Sequence, residues 1–206
     1  MNEKILKTVQ DVKQASEKRN FSQTFDLIVN LKELDMKKAE SKFDESFALP
    51  HGRGKDAHVV IFSDTVKNED AEVLTSGDID SLARNKREAK KLAKKADFLF
   101  GDPKVMPLVG KSLGTLLGPR GKVPKLLSGD VANLVKNHIR STRVRVKNDP
   151  VILCMVGTDK MSDENVAENV EALVKFLEQK LPRGKANIAK MALKLTMGKP
   201  VKLEVA

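Results

Sequence analysis

The chain has 206 residues, enough for one large or two small domains at roughly 150 residues each. It carries 38 Lys+Arg against 28 Asp+Glu, a formal net charge of +10, with 40% apolar and 32% charged residues. That is too apolar for a disordered chain and too charged for a membrane protein. The longest apolar runs, such as VILCMV at 151–156, fall far short of the roughly 20 residues that span a bilayer. The N-terminus, MNEKILKTVQDVKQ, has acids and amides where a signal peptide carries a continuous apolar core. The single cysteine, Cys154, excludes an intrachain disulfide and a zinc site built on cysteines. It lies in the apolar run and reads as a buried structural thiol. These features suit a cytoplasmic protein without a membrane partner. The cationic excess calls for a polyanion, and nucleic acid leads because Lys and Arg release counterions from phosphates. Eight Phe with no Trp or Tyr disfavour an aromatic stacking platform for single strands.

Along the chain, Ile5, Leu6, Val9 and Val12 recur at helical spacing within 3–18. Residues 24–31 alternate, with Phe25, Leu27, Val29 and Leu31 on one side, as in a half-buried strand. Strands are predicted at 45–49 and 57–62, joined by the turn PHGRGKD. Helices at 79–95 and 104–117 then flank a short strand at 97–100. The Gly/Pro-rich loop GPRGKVPK covers 118–125. A helix at 130–139, capped by Ser128 or Asp130, precedes an alternating strand at 141–147. Asn148-Asp149-Pro150 is a turn and a candidate boundary. A strand at 151–156 leads to a helix opened by Ser162 or Asp163, with Val166, Val170, Leu173, Val174, Leu177 and Leu181 on one face. Strands at 188–196 and 200–205 close the chain; Lys190, Lys194 and Thr196 share one face of the first.

Alternating strands and helices define an α/β protein. The outer segments share one style and the middle another. This predicts a domain built from both termini, 1–64 with 151–206, and an insert at 65–150. The insert so bounded holds 18 Lys+Arg and 10 Asp+Glu, or +8, against +2 for the remainder. Charge alone places nucleic-acid contact on the insert.

Several motifs have a functional and an ordinary reading. Arg-Gly-Lys occurs at 53–55, 120–122 and 183–185, each with a Pro just upstream. These are either phosphate-facing turns or solvated ones. RNKREAKKLAKK, residues 84–95, reads as a solvated helix. Gly110-Lys111-Ser112 lacks the upstream Gly of a P-loop, since Val105 stands there. Gly110-Lys111-Ser112-Leu113-Gly114 fits G-x-S-x-G, with Ser112 as nucleophile and His138 as its base in a rival esterase reading. Pro107 and the helical context argue against it. His51, His58 and His138 have no ligand-spaced neighbours, so no metal is expected.

The segments LPHGRGK (49–55), MPLVGKSLGTLLGPRGKVPK (106–125) and LTMGKPVKLEV (195–205) resemble the family of universal large-subunit ribosomal protein number one, which forms the mobile stalk beside the exit site. The resemblance runs the whole length and looks archaeal. It implies two domains: a split β-α-β domain formed by both termini and an inserted Rossmann-like α/β domain. It also implies binding to stalk ribosomal RNA, help in releasing deacylated tRNA from the exit site, and repression of translation through a similar messenger RNA element. No catalysis and no cofactor are implied, and the free protein is expected to be a monomer.

By resemblance, the main RNA site is the Thr196-Met197-Gly198 loop together with Phe21 and Thr24. Lys38 stands where the bacterial form has Arg. Asn20 replaces a Lys and Lys190 replaces a Ser of the bacterial pattern. Lys190 and Lys194 extend the expected footprint, and Arg120, Lys122 and Lys125 form a secondary RNA or tRNA contact. The remaining alternative is an RNA-binding regulator that works off the ribosome.

Overall fold

The structure, a computed structural model, describes residues 2–38, 41–66 and 68–203. In chain order it runs α1 (Asn2–Gln14), β1 (Thr24–Leu31), β2 (Phe43–Ala48), β3 (Val59–Phe62) and β4 (Glu72–Leu74). Next come α2 (Ser76–Arg84), α3 (Lys86–Lys95), β5 (Phe98–Gly101), α4 (Met106–Leu117), β6 (Lys125–Leu126) and α5 (Val131–Ile139). The chain closes with β7 (Ser141–Val146), β8 (Val151–Thr158), α6 (Asp163–Lys180), a 3₁₀ turn at Gly184–Asn187, β9 (Ile188–Leu195) and β10 (Val201–Leu203). It divides into two compact units, Met1–Lys55 with Arg140–Ala206, and Asp56–Ile139.

In the first unit an antiparallel sheet of order β10-β9-β1-β8 carries both helices on one face. The alternation of β1 explains this. Phe25, Leu27 and Val29 are fully buried against Ile5, Val9 and Val12 of α1 and Val166, Val170, Leu173 and Leu177 of α6. Each such side chain contributes roughly 1.5–3 kcal/mol on burial. Ser162 caps α6 by accepting from Asn165 N, and Asp163 and Glu164 suit its first turn. Among the described residues no helix packs on the other sheet face. The two-stranded sheet β2-β7 adds Val144 and Val146 to the same core.

In the second unit the sheet is parallel, of order β4-β3-β5-β6. Parallel strands need crossovers, which the helices supply. α2, α3 and α4 cover Val60, Phe62 and Leu99, while α5 covers the opposite face at Ile61, Phe98 and Phe100.

The observed boundaries differ from 64/65 and 150/151. The strand after PHGRGKD does not form a hairpin with the one before it: β3 pairs with β4 and β5 in the second unit, while β2 pairs with β7 in the first. The Asn148-Asp149-Pro150 turn joins β7 to β8 within the first unit, and Pro150 O accepts from Leu31 N at 2.8 Å. The single helix expected at 79–95 is two. Thr75 and Asp78 form a capping box for α2, and Asn85 ends α2 while its side chain caps α3 through Glu88 N.

Moving the boundaries moves the charge. The first unit holds 24 Lys+Arg and 17 Asp+Glu, or +7; the second holds 14 and 11, or +3. Arg140, Arg143, Arg145 and Lys147 change sides. The cationic excess therefore lies on the unit made from both termini, not on the insert.

Candidate nucleic-acid interface

Five of the expected site residues meet where β1 begins and β9 ends. Thr24 N donates to Thr196 Oγ1 at 3.0 Å, the two hydroxyls lie 2.9 Å apart, and Thr196 N donates to Thr24 O at 3.0 Å. Gly198 N closes the turn on Leu195 O at 2.9 Å. Met197 projects from it, 65% exposed, and Phe21, on the segment entering β1, is 52% exposed. Phe21 and Met197 are thus two large apolar side chains left in water on the segments that flank the threonine pair.

The loop is braced by residues that sequence reasoning missed. Gln23 is only 4% exposed; its Oε1 accepts from Met197 N at 3.2 Å and its Nε2 donates to Glu17 O. Asp159 accepts from Ser22 Oγ at 2.6 Å and from Gln23 N at 3.1 Å. Burial works against the Asp159 carboxylate, but the bonds from Ser22 and Gln23, with Lys160 nearby, hold it below the usual carboxylate range. A Cβ on Gly198 would lie 2.3 Å from Ser16 Oγ. Gly198 is not among the positive-φ glycines, so close packing within the chain explains it rather than a left-handed turn. The signals for Gln23 and Asp159 are non-local pairings, 174 and 136 residues apart in sequence, which no local pattern reveals.

The open sheet face continues this site. Register places Lys202, Ala192, Ile28 and Leu153 in one row across β10, β9, β1 and β8. The next rows are Lys194–Asp26–Met155 and Lys190–Asn30–Val151. Lys190 and Lys194 thus share the face as expected. Lys38 does not join them: it follows the opposite end of β1 from Thr24, and its backbone bonds, to Asp35 O and from Ser41 N, stay in its own loop. Burial raises the Asp26 carboxyl above its ordinary value, against the opposing pull of Lys194 and the Thr24 hydroxyl.

The secondary set is tied to a helix. Arg120 Nη1 donates to Lys90 O at 3.1 Å, and Lys122 Nζ donates to the carbonyls of Lys94 and Ala96. Lys122 therefore complements the C-terminal carbonyls of α3, while Arg120 bonds a carbonyl in the middle of that helix. Lys125 is exposed on β6. The other Arg-Gly-Lys turns are likewise integrated. Gly54, Gly121 and Gly184 have φ of +74°, +64° and +54°. Arg53 Nη2 reaches Met155 Sδ at 3.5 Å, and Arg183 pairs with Glu33 at 2.6 Å. The Gly serves a left-handed turn in all three.

The esterase arrangement is absent. Ser112 sits inside α4, which covers one face of the parallel sheet. His138 is on α5 on the other face, packed edge-on against Phe98 and Phe100, with Nδ1 2.8 Å from Leu134 O. Cys154 is 5% exposed, and burial, aided by Asp26, pushes its thiol up to about 12. Among the described residues no group of three His, Cys, Asp or Glu side chains could hold a metal.

The fold is thus an α/β protein with one half-covered antiparallel sheet, made from both ends of the chain, and one inserted parallel-sheet unit. A family model described as the ribosomal protein L1p/L10e family matches residues 12–199. The proteins named large ribosomal subunit protein uL1 from Methanothermobacter thermautotrophicus and Pyrococcus abyssi are each 39% identical, over 98% of this chain and 100% and 96% of theirs. That from Methanocella arvoryzae is 40% identical over 95% of this chain and 97% of its own. The chain belongs to the ribosomal protein L1p/L10e family, and is a ribosomal protein rather than an enzyme.

Proposed function

We propose that the chain is a constituent of the large ribosomal subunit that binds stalk ribosomal RNA through the Thr24–Thr196 end of its open sheet. The observation that carries this is the exposed pair Phe21 and Met197 set beside the bonded threonine pair on the more cationic unit. RNA with an irregular core is recognised by shape, backbone and 2′-hydroxyl contacts. A rigid turn with one apolar projection fits such a surface, and Lys190 and Lys194 supply phosphate contacts beside it. Lys38 adds a cation outside this cluster. On the ribosome the second unit, through Arg120, Lys122 and Lys125, helps release deacylated tRNA from the exit site. A messenger element of similar shape would bind the same surface and repress translation.

Met197→Ala in the full chain is the test. Binding to a transcript of the stalk region should weaken about tenfold, with binding to a scrambled transcript and the salt slope unchanged, because no charge is altered. Unchanged stalk binding by this variant would remove the loop from the site.

A further inference from the structure

We propose that the exposed cationic face of α3, in the second unit, is the surface that meets the phosphate backbone of deacylated tRNA, with Arg120 and Lys122 as positioning residues that hold this helix. This rests on the tRNA role proposed above and names the side chains that carry it.

α3 reads KREAKKLAKK, six cations and one acid in ten residues. Ala89, Leu92 and Ala93 are buried, and all six cations, with Glu88, are exposed. Lys86, Lys90 and Lys94 form one row and Arg87, Lys91 and Lys95 a second, each with about 6 Å between neighbours and about 12 Å end to end. Among the described residues Lys95 alone of the six forms an ion pair, at 3.8 Å to Glu72. The helix gains no stability from this charge. Lys86–Lys90, Arg87–Lys91, Lys90–Lys94 and Lys91–Lys95 are like-charge pairs at i, i+4, which destabilise a helix. Lys86 and Arg87 stand in the first turn, where the helix dipole disfavours cations. A face that only has to stay wet needs no such excess, and a local conflict of this kind marks a functional surface.

The chemistry of the face selects a nucleic-acid backbone over a protein or a membrane. It exposes no apolar or aromatic side chain on which a protein interface would centre. The apolar stripe that a membrane-surface helix would insert is already packed into the core of the unit. What remains is an array of point charges, mostly lysine, which binds phosphates by releasing counterions and reads no sequence. Such contact is screened and readily broken, which suits a ligand that must leave. Arg120 Nη1 donates to Lys90 O at 3.1 Å and Lys122 Nζ to Lys94 O at 3.4 Å. Both engage the helix backbone and so fix the course of the two rows, while the α3 side chains stay in solvent.

The test uses the full chain saturated with the stalk transcript, so that added tRNA meets only what remains free. Lys86→Gln/Lys90→Gln/Lys94→Gln should weaken binding of bulk deacylated tRNA to this complex about tenfold at about 100 mM salt, and lower the salt slope by about two to three. Stalk affinity should stay within about twofold, and the melting temperature should not fall, because like-charge pairs are relieved. Lys104→Gln/Lys111→Gln/Lys136→Gln removes the same charge from exposed positions of the same unit outside α3 and should keep tRNA binding. Equal losses in the two triple variants would show net charge at work, overturning the inference while the tRNA role stands. Loss on Lys125→Gln, with the α3 variant binding as the parent does, would place the contact on the loop and overturn it likewise. If the parent complex binds no tRNA, the inference and the tRNA role both fail. If the α3 variant binds tRNA as the parent does but co-sediments less with large subunits, another ribosomal component occupies the helix and the inference is overturned.

Discussion

Thr196 and Met197 are neighbours with different tasks. The Thr196 hydroxyl is already engaged by Thr24 N and Thr24 Oγ1, so it ties two strand ends together whether or not RNA is bound. Thr196→Val should therefore cost about 1 kcal/mol of stability, read as a lower urea midpoint, before any effect on RNA. Met197→Ala should leave the midpoint unchanged because the side chain is mostly in water. Gly198→Ala forces Ser16 to give up its 2.7 Å bond to Val12 O, and Ser16→Ala combined with it should recover most of the lost stability. The most costly single change is at Asn169, which is fully buried. Its side chain donates to Gly52 O and Val156 O at 2.8 and 2.9 Å and accepts from His51 N at 3.1 Å. Asn169→Leu orphans three backbone groups and should cost on the order of 3 kcal/mol, visible as a shifted urea midpoint at constant slope. Cys154 should resist alkylation in the native protein and react fully in denaturant, since the thiolate is the nucleophile and burial suppresses it.

At the scale of elements, β1 is the organising strand. Its buried side was legible from alternation alone, because a half-covered sheet enforces a period of two. Its exposed side was less so: Asp26, Ile28 and Asn30 gain meaning only from the strands beside them, which antiparallel register assigns and sequence does not. β4 and β6, three and two residues long, carry too few positions for any periodicity. The cations of GPRGK looked available in sequence because their partners are the carbonyls of α3, some 30 residues earlier. Thr196-Met197-Gly198 was found through resemblance; its local pattern is that of an ordinary hairpin turn. Asp26 yields a test on this strand. Its carboxyl is raised above 3.8, so the folded chain keeps a proton that the unfolded chain has lost. The stability this gives is fully present below 3.8 and is lost as pH rises through the raised value. Asp26→Asn should abolish that dependence, so the variant gains on the parent across this window and holds its advantage above it, as measured by urea unfolding at stepped pH. At neutral pH it should also bind the stalk transcript more tightly, since a negative charge leaves the lysine-lined face.

For the molecule as a whole, the decisive matter is where one unit stops. The two connecting segments lie together in the first unit: Leu49 N donates to Arg140 O at 3.4 Å, and a Cβ on Gly52 would lie 3.7 Å from Arg140 Cγ. Asn169 holds the first segment at Gly52, and the left-handed Gly54 packs on Thr158 and Met161. A linker of about six Gly/Ser residues reaches from Lys55 to Arg140, at up to about 3.5 Å per residue. The chain shortened in this way keeps the β2-β7 ladder and the buried Val144 and Val146. It should unfold in one cooperative transition and bind the stalk transcript within about threefold of the full chain, close to 0.6 kcal/mol. A second shortened chain, joining 1–64 directly to 151–206, follows the boundaries that sequence suggested. It loses β7, strips β2 of its partner and takes two fully packed valines from the core, at roughly 1.5–3 kcal/mol each. It also retains β3, whose pairing strands are gone. This second chain should be unfolded or aggregated by circular dichroism and gel filtration. Equal folding of the two would show that the boundary at 55/56 and 139/140 has no energetic meaning. A first chain that folds but has lost stalk RNA binding would move the main site to the second unit, despite that unit's smaller charge.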